Sequence, residues 1–281
     1  MAAMLIADSG ATKCEWRLVH DGEIQTIITT GISPYFLSKE KIMAVLQTEL
    51  LVNLPKVGVS KVAFYGTGLG NADNLKLIKA ILQKTFPDAA VEVTHDLMAA
   101  VHATAGRQKG VVAILGTGSN SCYYNGKKIV KNSPGLGYVL GDEGSGAYLG
   151  KKVIQYYLYN TFDEDLRARF DATFTVTAKD ILESVYTKPL PSRYLASYAI
   201  FLAQNRGHYM IENIIEDGLN DFFYQHLCKY AESWKMPIHF AGSIAYGFKD
   251  VLQQLCNAYE FELGTVVQSP MEGLMKYHGV G

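Results

Sequence analysis

Several signatures that settle the class of a protein at sight are missing from this sequence. Its four cysteines, Cys14, Cys122, Cys228 and Cys256, are scattered, with no C-x-x-C pair and no histidine at metal-ligand spacing. That pattern disfavours a disulfide framework, a structural zinc and an iron–sulfur cluster held within one chain, and it leaves the cysteines as small hydrophobes for the core. No apolar run approaches the roughly 18 residues that a membrane-spanning helix needs. The opening MAAMLIAD has no basic segment and meets an acid at Asp8, so it reads as a first strand and not as a signal peptide. A cytoplasmic protein with no membrane partner is expected. A net charge of -1 supplies no basic field, which argues against nucleic acid as a partner while leaving small phosphates open to local loops. Neither G-x-x-x-x-G-K-[ST] nor a complete G-x-G-x-x-G occurs, and GTGLG at 66–70 is the nearest approach.

What is present is a globular composition, 48% hydrophobic and 19% charged, in 281 residues, enough for two lobes of ordinary size. The segment AMLIADSGATKCEWRLVHDGEIQTIITTG reads as strand, glycine turn, alternating strand, Asp21-Gly22 hairpin and strand. About 105 residues later GVVAILGTGSNSCYYNGKKIVKNSPG repeats the order with an Asn125-Gly126 turn, which suggests an internal duplication. Between the repeats, helical patterns (KEKIMAVLQTELL, NADNLKLIKAILQKTF, LMAAVHATAG) alternate with strands (KVAFYGTG, AVEVTHD), the mark of α/β layers. The chain turns helical over about 141–233, and MPIHFAGSIA is expected as one last strand before the helix FKDVLQQLCNAY. The expected division is an N-terminal α/β lobe at 1–106 and a C-terminal α/β lobe with a helical insertion at 107–281, its last helix having the option of packing back on the first lobe. A cleft is expected between them.

Glycine-bordered turns after buried strands expose backbone N–H groups that can surround a phosphate. DSGATK and GTGSN are two such turns, one in each half. Lys13 adds a positive charge, and Thr12, Thr117, Ser119 and Asn120 add hydrogen-bonding groups. Asp8 would repel phosphates unless a cation intervenes, so it suits a Mg2+ partner, direct or through water. The same glycines and hydroxyls are also ordinary turn formers.

Five motifs in order, DSGATK (8–13), THDLMAA (94–100), LGTGSN (115–120), GLGYVLGDEGSGAYLG (135–150) and AGSIA (241–245), make the chain resemble the N-acetylglucosamine kinase branch of the sugar kinase, Hsp70 and actin superfamily, together with the related dehydratase and reductase activator ATPases. The resemblance runs through nearly the whole chain. It implies an actin-like ATPase fold of two ribonuclease H-like α/β lobes, with ATP and Mg2+ in the active-site cleft and closure on substrate. It also implies a first phosphate loop around Asp8, Gly10, Thr12 and Lys13, a second at Gly116, Thr117, Gly118, Ser119 and Asn120, and an adenosine loop with Gly242 and Ser243. Asp96 matches the general base, and Asp142, beside Gly141, matches a sugar contact. Asp96 at a strand-to-helix junction, and Asp142 and Glu143 before a helix, have an alternative use as helix caps and dipole partners.

Sugar recognition departs from the family pattern. Where N-acetylglucosamine kinases usually carry a sugar-touching asparagine, GISPYF places Ser33, and the loop containing Gly66 and Thr67 also differs. The resulting expectation is an ATP-dependent amino-sugar kinase, N-acetylglucosamine to its 6-phosphate, working as a homodimer. The alternative is an activator-type ATPase that drives a partner redox protein, but the cluster-binding cysteine pair of that class is not in the sequence. A sugar-responsive repressor would need a helix-turn-helix extension and a zinc-binding cysteine cluster, and the retained Asp8, Thr12, Lys13 and Asp96 argue against a degenerate kinase.

Overall fold

The computed structural model describes residues 3–280. The chain divides into two compact units, one made of the chain through Gly106 together with the segment from Pro270, the other of Arg107–Ser269.

In the first unit β1 (Ala3–Ser9), β2 (Lys13–His20) and β3 (Glu23–Thr30) form a meander, followed by α1 (Lys39–Val45), β4 (Val59–Gly66), α2 (Ala72–Thr85), β5 (Ala90–His95) and α3 (Asp96–Thr104). The sheet order is β3-β2-β1-β4-β5, antiparallel through the meander and parallel from β1 to β4 to β5. β1 is buried almost end to end, as a central strand covered on both faces must be. β2 alternates, sending Cys14, Trp16 and Leu18 into the core. Asp21 and Gly22 take φ of 50° and 83°, the left-handed pair that a two-residue hairpin requires. On one face of the sheet Trp16 and Phe64 pack with α1 and α2 residues such as Ile42 and Ile78. On the other, a terminal helix, Met271–His278, buries Met271, Leu274 and Met275 against Ile6, Ala63 and Ala99. A Cβ on Gly273 would lie 2.3 Å from the Ala103 carbonyl oxygen, so this helix and α3 meet backbone to backbone.

The second unit repeats the plan. β6 (Lys109–Leu115), β7 (Ser119–Asn125) and β8 (Ile129–Ser133) form its meander, joined by β9 (Ile238–Ala241) and β10 (Leu263–Val267) in the order β8-β7-β6-β9-β10. The parallel and antiparallel pairings match those of the first sheet. In the second hairpin Gly126 alone takes positive φ, and the Asn125 side chain accepts from the Lys127 and Lys128 N–H groups.

Between β8 and β9 runs the helical insertion: α4 (Gly137–Leu140), α5 (Gly146–Leu158), α6 (Glu164–Thr173), α7 (Ala178–Tyr186), α8 (Pro191–Ser197), α9 (Ala199–Gln204) and α10 (Tyr209–Gln225). α11 (Ser243–Gly247) and α12 (Lys249–Ala258) follow β9. Aromatic packing of Phe162, Phe170, Phe201 and Tyr198 cements the insertion.

The expectation of a single last strand is corrected by β10. This strand is half-exposed, lies at the sheet edge and breaks register between Leu263 and Val266, so it carries no two-residue alternation to be read. Among the described residues no helix is long and apolar enough to cross a membrane.

Candidate active site

In both sheets several of the candidate residues lie at the C-terminal ends of the parallel strands, where open α/β sheets gather their ligand-binding loops. In the first unit the register places Ser9 beside Gly66 and Gly66 beside His95. Asp8, Thr67 and Asp96 are therefore carried on three adjacent strand ends, tied by the Thr67 N–H donating to the Ser9 carbonyl at 2.9 Å.

Burial pushes the Asp8 carboxyl up to about 7, with Asp96 and Glu15 adding to the rise and Lys13 opposing it. Burial also raises Asp96, against the opposing pull of His95, the Leu97 N–H and the Thr67 hydroxyl. Asp96 is the first residue of α3 and not its cap. His95 holds the cap position without a side-chain bond, while Asp96 Oδ1 accepts from its neighbour Leu97 N–H at 2.8 Å. Burial lowers His95 and favours its neutral form.

The turn at 10–12 is exposed and closes with the Gly10 N–H donating to the Lys13 carbonyl at 3.0 Å. It rests on Gly31, whose Cβ would come within 2.3 Å of the Gly10 carbonyl oxygen. Ser9, which the sequence did not single out, locks the same junction, its hydroxyl accepting from the Ile32 N–H at 2.8 Å. Ser33 follows, buried, with a hydroxyl that has no hydrogen-bond partner among the described residues, and Gly68 (φ +76°) packs so closely that a Cβ would lie 2.8 Å from that oxygen.

In the second unit β6 and β9 run parallel with Ile114 beside Ala241, so the turn at 116–118 and the Gly242-Ser243 turn leave neighbouring strand ends. Gly242 has φ +122°, and its Cβ would stand 2.2 Å from the Leu115 carbonyl oxygen, so the two turns are in backbone contact. The first N–H groups of α5 are already used, Gly146 donating to the Gly116 carbonyl (2.8 Å) and Ala147 to Thr117 (3.0 Å). Ser145 caps this helix by accepting from the Tyr148 N–H. The capping alternative for Asp142 and Glu143 therefore fails, since both precede the cap.

Asp142 instead sits in the left-handed region at φ 58°, buried, and its carboxylate accepts from the Gly137 N–H at 3.0 Å and from the Ser119 N–H. Burial raises its pKa, those two donors oppose the rise, Glu143 adds to it and His226 counters it. Gly141 is buried beside it. Asn120 is drawn elsewhere, its amide oxygen accepting from the Ser121 N–H and from Asn132, which ties β7 to β8. The sequence also missed His226 and Ser133, which bear on Glu143 from 83 and 10 residues away and carry no local motif.

Phosphates and a cation fit these residues. A Cβ on Gly116 would meet nothing within 4 Å, Thr117 and Ser243 are exposed, and the Ser119 hydroxyl is buried without a hydrogen-bond partner among the described residues. Among the described residues no three His, Cys, Asp or Glu side chains gather as a metal cage. Mg2+ needs none, because it is commonly held by one or two carboxylates together with substrate phosphates. Burial first and the Asp96 charge second disfavour ionised Asp8, and a cation there would favour it.

The repeated sheets, with glycine turns at matching strand ends, define an α/β protein of the actin-like sugar kinase fold. A crystal structure from Porphyromonas gingivalis, described as a candidate N-acetylglucosamine kinase, matches at 35% identity with a TM-score of 0.92, over 99% of this chain and 98% of that one. The chain belongs to this family, the N-acetylglucosamine kinase branch of the sugar kinase, Hsp70 and actin superfamily. A second structure, a candidate N-acetylglucosamine kinase from Chromobacterium violaceum, shares the fold at 18% identity and a TM-score of 0.71 over 99% of each chain. An N-acetylmuramic acid/N-acetylglucosamine kinase from Clostridium acetobutylicum is 24% identical over 200 residues, 66% of this chain, and the match spans 65% of that relative's length. No family model matches the chain.

Proposed function

We propose that this protein is an ATP-dependent amino-sugar kinase that phosphorylates N-acetylglucosamine at its 6-hydroxyl, acting in the cytoplasm as a homodimer. The observation that carries this reading is the convergence of Asp8, Thr67 and Asp96 on adjacent strand ends, with both carboxyls raised by burial. A base works best with its pKa drawn toward the working pH, and burial draws Asp96 that way. Its carboxylate takes the proton of the attacking hydroxyl, while the Leu97 N–H and the Thr67 side chain keep it oriented. Asp8 would hold Mg2+. Lys13, Thr12 and the turns at Gly10 and 116–118 would bind phosphates, and Gly242 and Ser243 would lie at the nucleoside. When bound, Mg-ATP supplies the phosphoryl group and the cation neutralises its charge. Asp142 and the Ser33 hydroxyl, unpartnered among the described residues, would bind the sugar with Gly66, Thr67 and Gly141 beside them.

The activator-type alternative wants accessible cysteines, and three of the four, Cys14, Cys122 and Cys256, are buried. The test is ATP consumption with Mg2+ against N-acetylglucosamine, glucosamine, N-acetylmannosamine, N-acetylmuramic acid, glucose and no sugar. Stimulation by one amino sugar is expected. Sugar-independent hydrolysis would transfer the reading to the activator class, and no consumption under any condition would end the kinase reading for these acceptors.

A further inference from the structure

Asp142 is a non-glycine residue held in the left-handed region, a strained conformation that persists only where its surroundings impose it. Two glycines crowd its carboxylate: a Cβ on Gly118 would lie 2.8 Å from Oδ2, and one on Gly135 would lie 2.6 Å from Oδ1. Gly144, at φ +69°, completes the turn over Phe222, where a Cβ would meet the Phe222 Cβ at 2.8 Å. One turn further along, the same face of the chain presents His226, whose ring stacks on Phe222 at 4.8 Å between centroids.

His226 is buried and uses both nitrogens. Nε2 lies 3.0 Å from Glu143 Oε2, and Nδ1 lies 2.9 Å from the Ser133 hydroxyl. An ionised carboxylate only accepts, so Nε2 carries the proton toward Glu143, and Nδ1 accepts from Ser133 whenever the ring is neutral. Ser133 is in turn fixed by its N–H donating to the Tyr230 hydroxyl at 2.6 Å. Ser133 ends β8 and leads into residues 134–137, and the Gly137 N–H holds the Asp142 carboxylate. His226 therefore grips the stretch that carries Asp142 at both ends, through Ser133 before it and Glu143 after it.

We propose that His226 is a positioning residue for Asp142, acting through Glu143 and Ser133 to hold the turn at 141–144 in the one orientation that binds the acceptor sugar. This rests on the amino-sugar kinase reading and on the sugar-binding role of Asp142 within it.

The two ring nitrogens can be tested separately. The longer amide of His226→Gln reaches the Nε2 position and keeps a donor for Glu143; His226→Asn reproduces Nδ1 alone and keeps only Ser133. Losing a hydrogen bond to a charged group should raise the sugar KM roughly tenfold in His226→Asn. The ATP KM should stay within about twofold, because the lost interaction belongs to one substrate. Glu143→Ala should reproduce the Asn variant, and His226→Gln should restore most of the sugar affinity. If His226→Asn does not fold, by its melting curve, Glu143→Ala decides. An unchanged sugar KM in Glu143→Ala, or sugar and ATP KM rising together, overturns the proposal.

Failure of the kinase reading is a separate result, a wild-type protein that no sugar stimulates. In that event hydrogen exchange across residues 135–144 judges the brace. Faster exchange in His226→Asn and Glu143→Ala but not in His226→Gln supports it, and equal exchange in all of them overturns it.

Discussion

Asp8, near the end of β1, and Asp96, just past the end of β5, are separated in the sheet by β4 alone, and the charge of Asp96 adds to burial in pushing the Asp8 carboxyl up to about 7. Two acids on strands one apart in the sheet are a liability for folding and would be an asset for holding a cation. Both consequences can be measured.

Without a bound cation, ionising Asp8 should cost stability. Its folded pKa is raised from 3.8 to about 7, so its favourable contribution is complete below the lower value and is lost as pH rises through the upper one. Urea unfolding of wild type between about pH 5 and pH 8 should lose stability more steeply than Asp8→Asn, by at most about 1.4 kcal/mol per pH unit. Parallel profiles for the two proteins would refute the buried-charge account.

Asp96→Asn keeps an acceptor for the Leu97 N–H and removes the base. We expect turnover to fall roughly 100-fold or more while nucleotide binding by calorimetry is retained. A variant with more than about a tenth of wild-type turnover would remove Asp96 from the base role.

Lys13 begins β2 beside the exposed turn at 10–12. Lys13→Ala should raise the ATP KM and leave the sugar KM alone, through the loss of a charge-assisted contact to phosphate. Unchanged kinetics at subsaturating ATP would exclude that contact.

Two glycines of the second unit should respond in opposite ways. At Gly242 a Cβ would collide with the Leu115 carbonyl oxygen at 2.2 Å in a backbone region closed to alanine, so Gly242→Ala should destabilise the fold by about 2 kcal/mol or more. At Gly116 a Cβ meets nothing within 4 Å, so Gly116→Ala should melt within about 0.5 kcal/mol of wild type and yet weaken ATP binding. Equal melting temperatures for the two variants would contradict this packing.

Trp16 is fully buried and its Nε1–H donates to the Thr29 hydroxyl at 3.0 Å. Thr29→Val keeps the shape and orphans that donor, which should cost about 1–3 kcal/mol. A urea midpoint equal to that of wild type would show that another acceptor replaces Thr29.

Much of the architecture was legible because it is written in local chemistry. The run Leu5 to Ala7 before Asp8 announces a central strand, Asp21-Gly22 a hairpin, and the same order near Asn125-Gly126 a second copy. Asp8 and the turn at Gly116 could be singled out because each closes an apolar strand, the place where a parallel sheet exposes its loops; Thr67, Asp96 and Gly242 are reached only through the family resemblance. β10 escaped because an edge strand with broken register leaves no alternation in its residues. The helix-cap alternative for Asp142 could be weighed in the sequence but not decided there.

By itself the sequence determined the strand periodicity, the duplicated turns and the chemical types at the strand ends, since these depend on residues close together in the chain. Only the tertiary structure decided which carboxyls share a strand edge, that Ser145 and not Asp142 caps α5, and that His226 reaches Glu143 across 83 residues. Burial, electrostatic coupling and side-chain hydrogen bonds act through space, and the folded chain brings together groups whose distance in sequence says nothing of their contact.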